Sequence, residues 1–198
     1  MRYLPQKHVI TGGPGVGKTT TLEILAQRGY ETVRETARDI ISLQQEAGED
    51  GILPWTDNFG FQYLVLDTLL RRERQATGEH VFCDRGAFDA IAYCHVFGNE
   101  VPAPLVKATH TRRYETVFLL DQLPNYATDK ERREDPVLAK RIHEAIGDAY
   151  RGLGYEVVRV PVLPPQERAE FIIAQVNERR YTNERHASRQ QQQQSTAA

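Results

Sequence analysis

His8-Val9-Ile10-Thr11-Gly12-Gly13-Pro14-Gly15-Val16-Gly17-Lys18-Thr19 decides the reading of this chain. Four residues of β-forming character lead into Gly12–Thr19, which satisfies G-x-x-x-x-G-K-[ST], and an amphipathic stretch begins at Lys18. The competing reading is a glycine-rich turn with a coincidental lysine. The strand before the loop and the helix after it decide for a phosphate cradle. Glycines let the backbone curl so that successive N–H groups and the positive end of the helix point at negative charge. Gly12, Gly13, Pro14, Gly15, Val16, Gly17, Lys18, Thr19 and the adjoining Thr20 are therefore expected to bind a nucleotide. Lys18 is expected to reach its β and γ phosphates, and the Thr19 hydroxyl to ligate Mg²⁺.

Working outward, short apolar runs alternate with amphipathic stretches, the pattern of βαβ units that pack a mainly parallel sheet between helices. Strands are expected at His8–Thr11, Glu31–Arg34, Val81–Asp84, Thr116–Leu120 and Glu156–Val160. Helices are expected from Lys18 to before Gly29, over Asn58–Thr77 with Phe59, Tyr63, Leu66 and Leu70 on its apolar stripe, from Pro136 to about Leu153, and over Pro165–Arg179. Residues 1–181 read as one α/β domain. Residues 182–198, with Gln190–Gln194 near their end, read as a disordered Gln-rich tail, since they offer too little apolar surface to order.

Composition narrows the function. The 198 residues are 40% hydrophobic and 26% charged with a formal net charge of −2, so the basic surface expected of a nucleic-acid binder is missing. No secretory signal opens the sequence and no segment approaches 18 uninterrupted apolar residues, so no membrane insertion and a cytoplasmic location are expected. Cys83 and Cys94 lack metal or disulfide spacing and read as reduced, buried and structural.

Phosphoryl transfer needs a metal carboxylate, a group that positions the acceptor, and cations over the transferred phosphate. Asp84 closes the third strand at the sheet's carboxyl edge, where doubly wound proteins bind ligands, and is the candidate metal carboxylate. Arg85 follows as a candidate phosphate or substrate ligand, and Gly86 is expected to permit the sharp exit into the next helix. Glu35 ends the second strand at the same edge. It reads either as the acceptor-side base or as a carboxylate at a helix N-terminus. Arg38, one turn on, reads as a substrate ligand or as a solvated arginine. Gln62 lies off the apolar stripe of its helix and can present its amide to a ligand. Within the charge run Asp129–Asp135, Arg132 and Arg133 are placed to fold over the γ phosphate, although such runs are commonly solvated faces.

Together these residues resemble the small AAA-type P-loop ATPases related to the ribosylnicotinamide kinase domain and to deoxynucleoside and thymidylate kinases. The resemblance covers roughly residues 8 to 175. It rests on Gly12–Thr19, on Arg34-Glu35-Thr36-Ala37-Arg38, on Asp84-Arg85-Gly86 followed by Asp89 and Ala92-Tyr93, and on the stretch from Tyr150 to Pro161. It implies a P-loop NTPase fold, three-layered α/β/α with a five-stranded parallel sheet in the order 2-3-1-4-5. It also implies Mg²⁺ with ATP or GTP and arginines that close over the phosphates. In deoxynucleoside kinases a glutamate after strand two acts as base and a helix glutamine reads the nucleoside; Glu35 and Gln62 are similar. Those kinases have Glu-Pro and Glu-Arg-Ser where this chain has Glu35-Thr36 and Asp84-Arg85-Gly86.

The function expected is therefore a small-molecule kinase of nucleoside or nucleotide type. The alternative is a regulatory ATP/GTP-binding switch without a small-molecule acceptor. No Asn-Lys-x-Asp motif reads guanine, and the loop Pro161–Pro164 can meet a base through its backbone, which favours ATP with GTP possible. A mechanical AAA+ motor is excluded by the chain's length and the lack of a sensor arginine.

Overall fold

A computed structural model describes residues 4–34, 36–48, 51–53, 55–111, 113–124 and 135–179, with backbone only at Arg38 and Asn58. The chain forms β1 (Gln6–Thr11), α1 (Lys18–Gln27), β2 (Glu31–Val33), α2 (Thr36–Glu46), α3 (Asn58–Gln75), β3 (His80–Asp84), α4 (Asp89–Phe97), α5 (Ala103–Thr109), β4 (Thr116–Leu120), α6 (Pro136–Gly152) and β5 (Val157–Val160). A further helix, α7, spans 165–179. All five strands are parallel and lie in the order β2-β3-β1-β4-β5. The P-loop NTPase fold and its strand order are thus as expected.

The three central strands β1, β3 and β4 form because both their faces are buried, and alternate residues feed different cores. Val9, Val81, Cys83, Val117 and Leu119 belong to one apolar cluster, with Phe88, Ile91, Ile142 and Ile146 from the α4 and α6 side. Ile10, Phe82, Phe118, Leu120 and Val160 belong to the other, with Leu22 and Leu25 of α1 and Ile172 and Val176 of α7. Each fully buried Leu, Ile or Phe contributes roughly 1.5–3 kcal/mol, so the sheet is held from both sides. With β1 central, its neighbours β3 and β4 leave it on opposite sides. The crevice at the carboxyl ends of these strands is where such sheets bind ligands.

Several local expectations change. The buried stripe of α3 runs through Phe61, Leu66 and Leu69, while Phe59 is 59% exposed. Tyr63 is half-buried and meets the Phe59 ring at a tilt of 54°, 4.8 Å between ring centroids. Asp57 caps this helix, accepting from the Gly60 N–H at 2.9 Å. The helix α3 also stops at Gln75 rather than Thr77, since Ala76 is extended. β2 ends at Val33 and β5 starts at Val157, one residue short of the expectation in each case. Among the described residues no helix is long and apolar enough to cross a membrane. Cys83 and Cys94 are free thiols and buried, as expected.

Candidate functional site

The cradle begins where β1 ends. Gly12, Gly15 and Gly17 adopt φ of +140°, +75° and +88°, values that a side chain would strain, so the loop can curl only with glycine there. Gly13 is required for space instead. A Cβ on it would lie 2.8 Å from the carbonyl oxygen of Ala139 on α6. The N-terminus of α1 has no side-chain cap and no acidic residue in its first turn, leaving its positive end for a ligand.

Lys18 is 8% exposed. Its Nζ donates to the carbonyl oxygens of Gly12 and Gly13, at 3.1 Å each. These contacts curl the lysine back along the loop, within reach of any phosphate placed in it. From the other side, the Gly13 N–H donates to Nδ1 of His143 at 3.3 Å, so that nitrogen must be unprotonated. Burial lowers the His143 pKa and so maintains the neutral ring, against the upward pull of the Asp121 carboxylate.

A cavity of about 470 Å³ opens from this loop, within the size range of small-molecule sites. Pro14 to Thr20 border it, and so do Asp84, Arg85 and Gln62. Ile41 of α2, Phe61, Val65 and Leu69 of α3, and Tyr93 of α4 add an apolar part to the same lining. Gly12 and Gly13 are not in the lining; they stand behind the loop, packed on α6 and Leu120. Ala37 and Ile41 of α2 line the cavity, whereas the Arg38 side chain lies outside the described residues. So do Glu35, Arg132, Arg133 and the tail 182–198.

Arg85 takes φ +65°, although Gly86 is the residue expected to relieve the turn. Gly86 serves another purpose. A Cβ there would overlap the Tyr150 hydroxyl and approach Val9 Cγ2 to 2.9 Å and Tyr114 Cζ to 3.0 Å. The arginine is held over the cavity by Asp89, whose Oδ2 accepts from its Nη1 at 3.2 Å, and by the Tyr93 ring, 5.4 Å below its Cζ.

Several residues in or behind the site had no role assigned from sequence. Asp89 accepts from Thr11, Arg85, Tyr150 and the Gly86 N–H. Its spacing of four from Arg85 at the start of a helix is the one sequence signal available. Thr36 borders the cavity, and its buried Oγ1 finds no hydrogen-bond partner among the described residues. His143 and Arg168 reach the loop from α6 and α7, and no local spacing announces them.

Residues 7–168 match the sequence profile of a family described as AAA domain. The match spans well over half of the chain, and this protein belongs to that family. No curated protein matches it. Among solved structures it is similar to a deoxyadenosine kinase from M. mycoides at 17% identity, with a TM-score of 0.59 and coverage of 87% of this chain and 99% of that one. A thymidylate kinase from Ehrlichia chaffeensis superposes with a TM-score of 0.60 at 12% identity, covering 87% and 98%. A shikimate kinase from Aquifex aeolicus gives 0.55 at 15%, covering 89% and 99%. At these identities the likeness is one of fold.

Proposed function

We propose that this chain is a Mg²⁺-dependent kinase that transfers the γ-phosphoryl group of ATP to a small acceptor of nucleoside or nucleotide type. One observation carries the reading: the phosphate loop and the apolar side chains Ile41, Phe61, Val65, Leu69 and Tyr93 line one and the same cavity of about 470 Å³. A regulatory switch needs the loop and has no use for that apolar lining. The three similar structures reported above, a deoxyadenosine kinase, a thymidylate kinase and a shikimate kinase, support the same reading.

The residues suit the chemistry. Hard oxygen donors hold Mg²⁺, and the Thr19 hydroxyl and Asp84 carboxylate border the same cavity as the loop. Bound there, the ion would neutralise phosphate charge. The loop N–H groups and Lys18 orient the triphosphate, with Arg85 a second cation on the lining. Phe61, Val65 and Tyr93 exclude water around the acceptor, and the Gln62 amide offers it an NH₂ donor and a carbonyl acceptor. In the transfer the acceptor oxygen forms a bond to γ-phosphorus and the bond to the β–γ bridging oxygen breaks. ADP leaves with the electron pair, and the hydroxyl proton passes to a carboxylate, the role assigned to Glu35. Arg132 and Arg133 are the proposed cations over the transferred group, and Arg38 a substrate ligand.

The test is transfer of label from γ-labelled ATP across a panel of nucleosides, nucleoside monophosphates and nicotinamide riboside. Label recovered in one acceptor supports the kinase. Label released only as inorganic phosphate, at a slow rate no acceptor changes, supports the regulatory switch instead.

A further inference from the structure

Arg168, in the first turn of α7, is 2% exposed. Its guanidinium donates to three backbone carbonyl oxygens: Nη1 to Val16 at 2.6 Å, Nε to Pro161 at 3.1 Å and Nη2 to Asp121 at 3.3 Å. Val16 belongs to the phosphate loop, Asp121 follows β4 and Pro161 follows β5. The Asp121 carboxylate is directed elsewhere, accepting from Arg159 Nε at 3.0 Å and Nη2 at 2.8 Å. Burial works against the charged form of this guanidinium, offset in part by the Asp121 charge. Here its hydrogen bonds fix backbone direction.

The bond to Val16 governs the next residue. In a trans peptide the C=O and the following N–H point in opposite directions. Gly17 has φ +88° and, lacking a Cβ, accepts the alternative orientation of that peptide at little cost. A Cβ built on it would stand 3.4 Å from Arg168 Nη1, so the arginine lies directly behind the peptide.

We propose that Arg168 is a positioning residue of the phosphate site: it holds the Val16 carbonyl outward, which turns the Gly17 N–H into the cradle. Without it, the peptide is free to present its carbonyl oxygen to the phosphates, where like charge repels. The same three bonds tie the loop to the segment after β5. The inference rests on the nucleotide-binding reading of the loop and adds the residue that sets its geometry.

The test uses the full chain. Calorimetric titration with inorganic pyrophosphate, with ADP and with adenosine is compared for the unaltered protein, Arg168→Met and Arg168→Lys, alongside amide NMR of the Gly17 resonance. Loss of a charge-assisted contact of this kind lowers affinity about 10- to 100-fold. Arg168→Met is expected to lose that much for pyrophosphate and ADP with adenosine affinity unchanged, and Arg168→Lys to fall between. The Gly17 amide of the unaltered protein is expected to shift on pyrophosphate binding. Wild-type pyrophosphate affinity in Arg168→Met overturns the proposal. If that variant does not fold, Arg168→Lys and the Gly17 resonance decide, and a Gly17 amide that ignores bound pyrophosphate overturns it equally. An unaltered protein that binds neither pyrophosphate nor ADP removes the nucleotide reading itself, and this inference with it.

Discussion

The Thr11 hydroxyl donates to Oδ2 of Asp89 across 2.6 Å, joining the last residue of β1 to the first of α4 behind the cavity. The same carboxylate accepts from Tyr150 Oη at 2.8 Å and from Arg85 Nη1 at 3.2 Å. Burial first, then the Asp89 charge, pushes the Tyr150 phenol pKa well above its ordinary value, so it remains a donor at any physiological pH. Asp89→Asn replaces one acceptor oxygen by a donor and removes the Asp89 charge from its ion pair with the partly buried Arg85. Breaking such a pair costs about 3 kcal/mol or more, read as a lower denaturant midpoint at unchanged m-value. Tyr150→Phe, which leaves three other donors to the carboxylate, is expected to cost about 1 kcal/mol.

Gly86 is needed for volume, since its position is closed by Val9, Tyr114 and Tyr150. Gly86→Ala is expected to lose about 1–3 kcal/mol of stability through overpacking. Pairing it with Tyr150→Phe should recover part of that loss. A double-mutant cycle checks this, with a favourable coupling expected between the two positions.

Gln62 lines the cavity that the loop also borders, and it is the proposed acceptor ligand. Gln62→Leu preserves volume and removes the amide. The acceptor KM is expected to rise about tenfold while the ATP KM stays within about twofold. Steady-state kinetics with each substrate varied in turn would show an effect on the wrong substrate at once.

His8 supplies the pH dependence. It is 1% exposed, and its Nε2 lies 3.1 Å from His80 Nδ1. Burial, with smaller contributions from His80 and Arg179, lowers its pKa to about 3. The folded state therefore holds the ring neutral where the unfolded chain, with a pKa near 6.5, binds a proton. Stability is fully present above about pH 6.5 and is lost as pH falls towards 3, by up to about 1.4 kcal/mol per pH unit. His8→Phe is expected to flatten the part of the stability curve below pH 6.5 that His8 contributes. Urea melts between pH 4 and 8 measure it.

How much of this was legible in the sequence follows from the range of the interactions. The loop Gly12–Thr19 is local, with each residue's role set by its neighbours, and the central apolar strands are buried on both faces, so both could be read directly. The placement of Asp84 and Arg85 on the cavity followed from the rule that parallel strands open at their carboxyl ends. What escaped depends on distant contacts. Gly86 lacks a side chain because of Tyr150, 64 residues on by their numbers, and not because of its own backbone. His143 and Arg168 bond the loop from 130 and 152 residues away. The face of α3 was read only in part: Leu66 is buried and Leu70 packs against the core, but Phe61 rather than Phe59 is buried near the start of the helix, and with both residues apolar the spacing did not choose between them.

The most direct test of the central claim is Mg-ATP consumption by the purified protein, alone and with each candidate acceptor, with Lys18→Ala as the blank. The account predicts that one acceptor of nucleoside or nucleotide type raises turnover at least about tenfold over the basal rate, and that Lys18→Ala abolishes this gain. Tight nucleotide binding with slow turnover that no acceptor changes, or acceptor-stimulated turnover that survives Lys18→Ala, would contradict it.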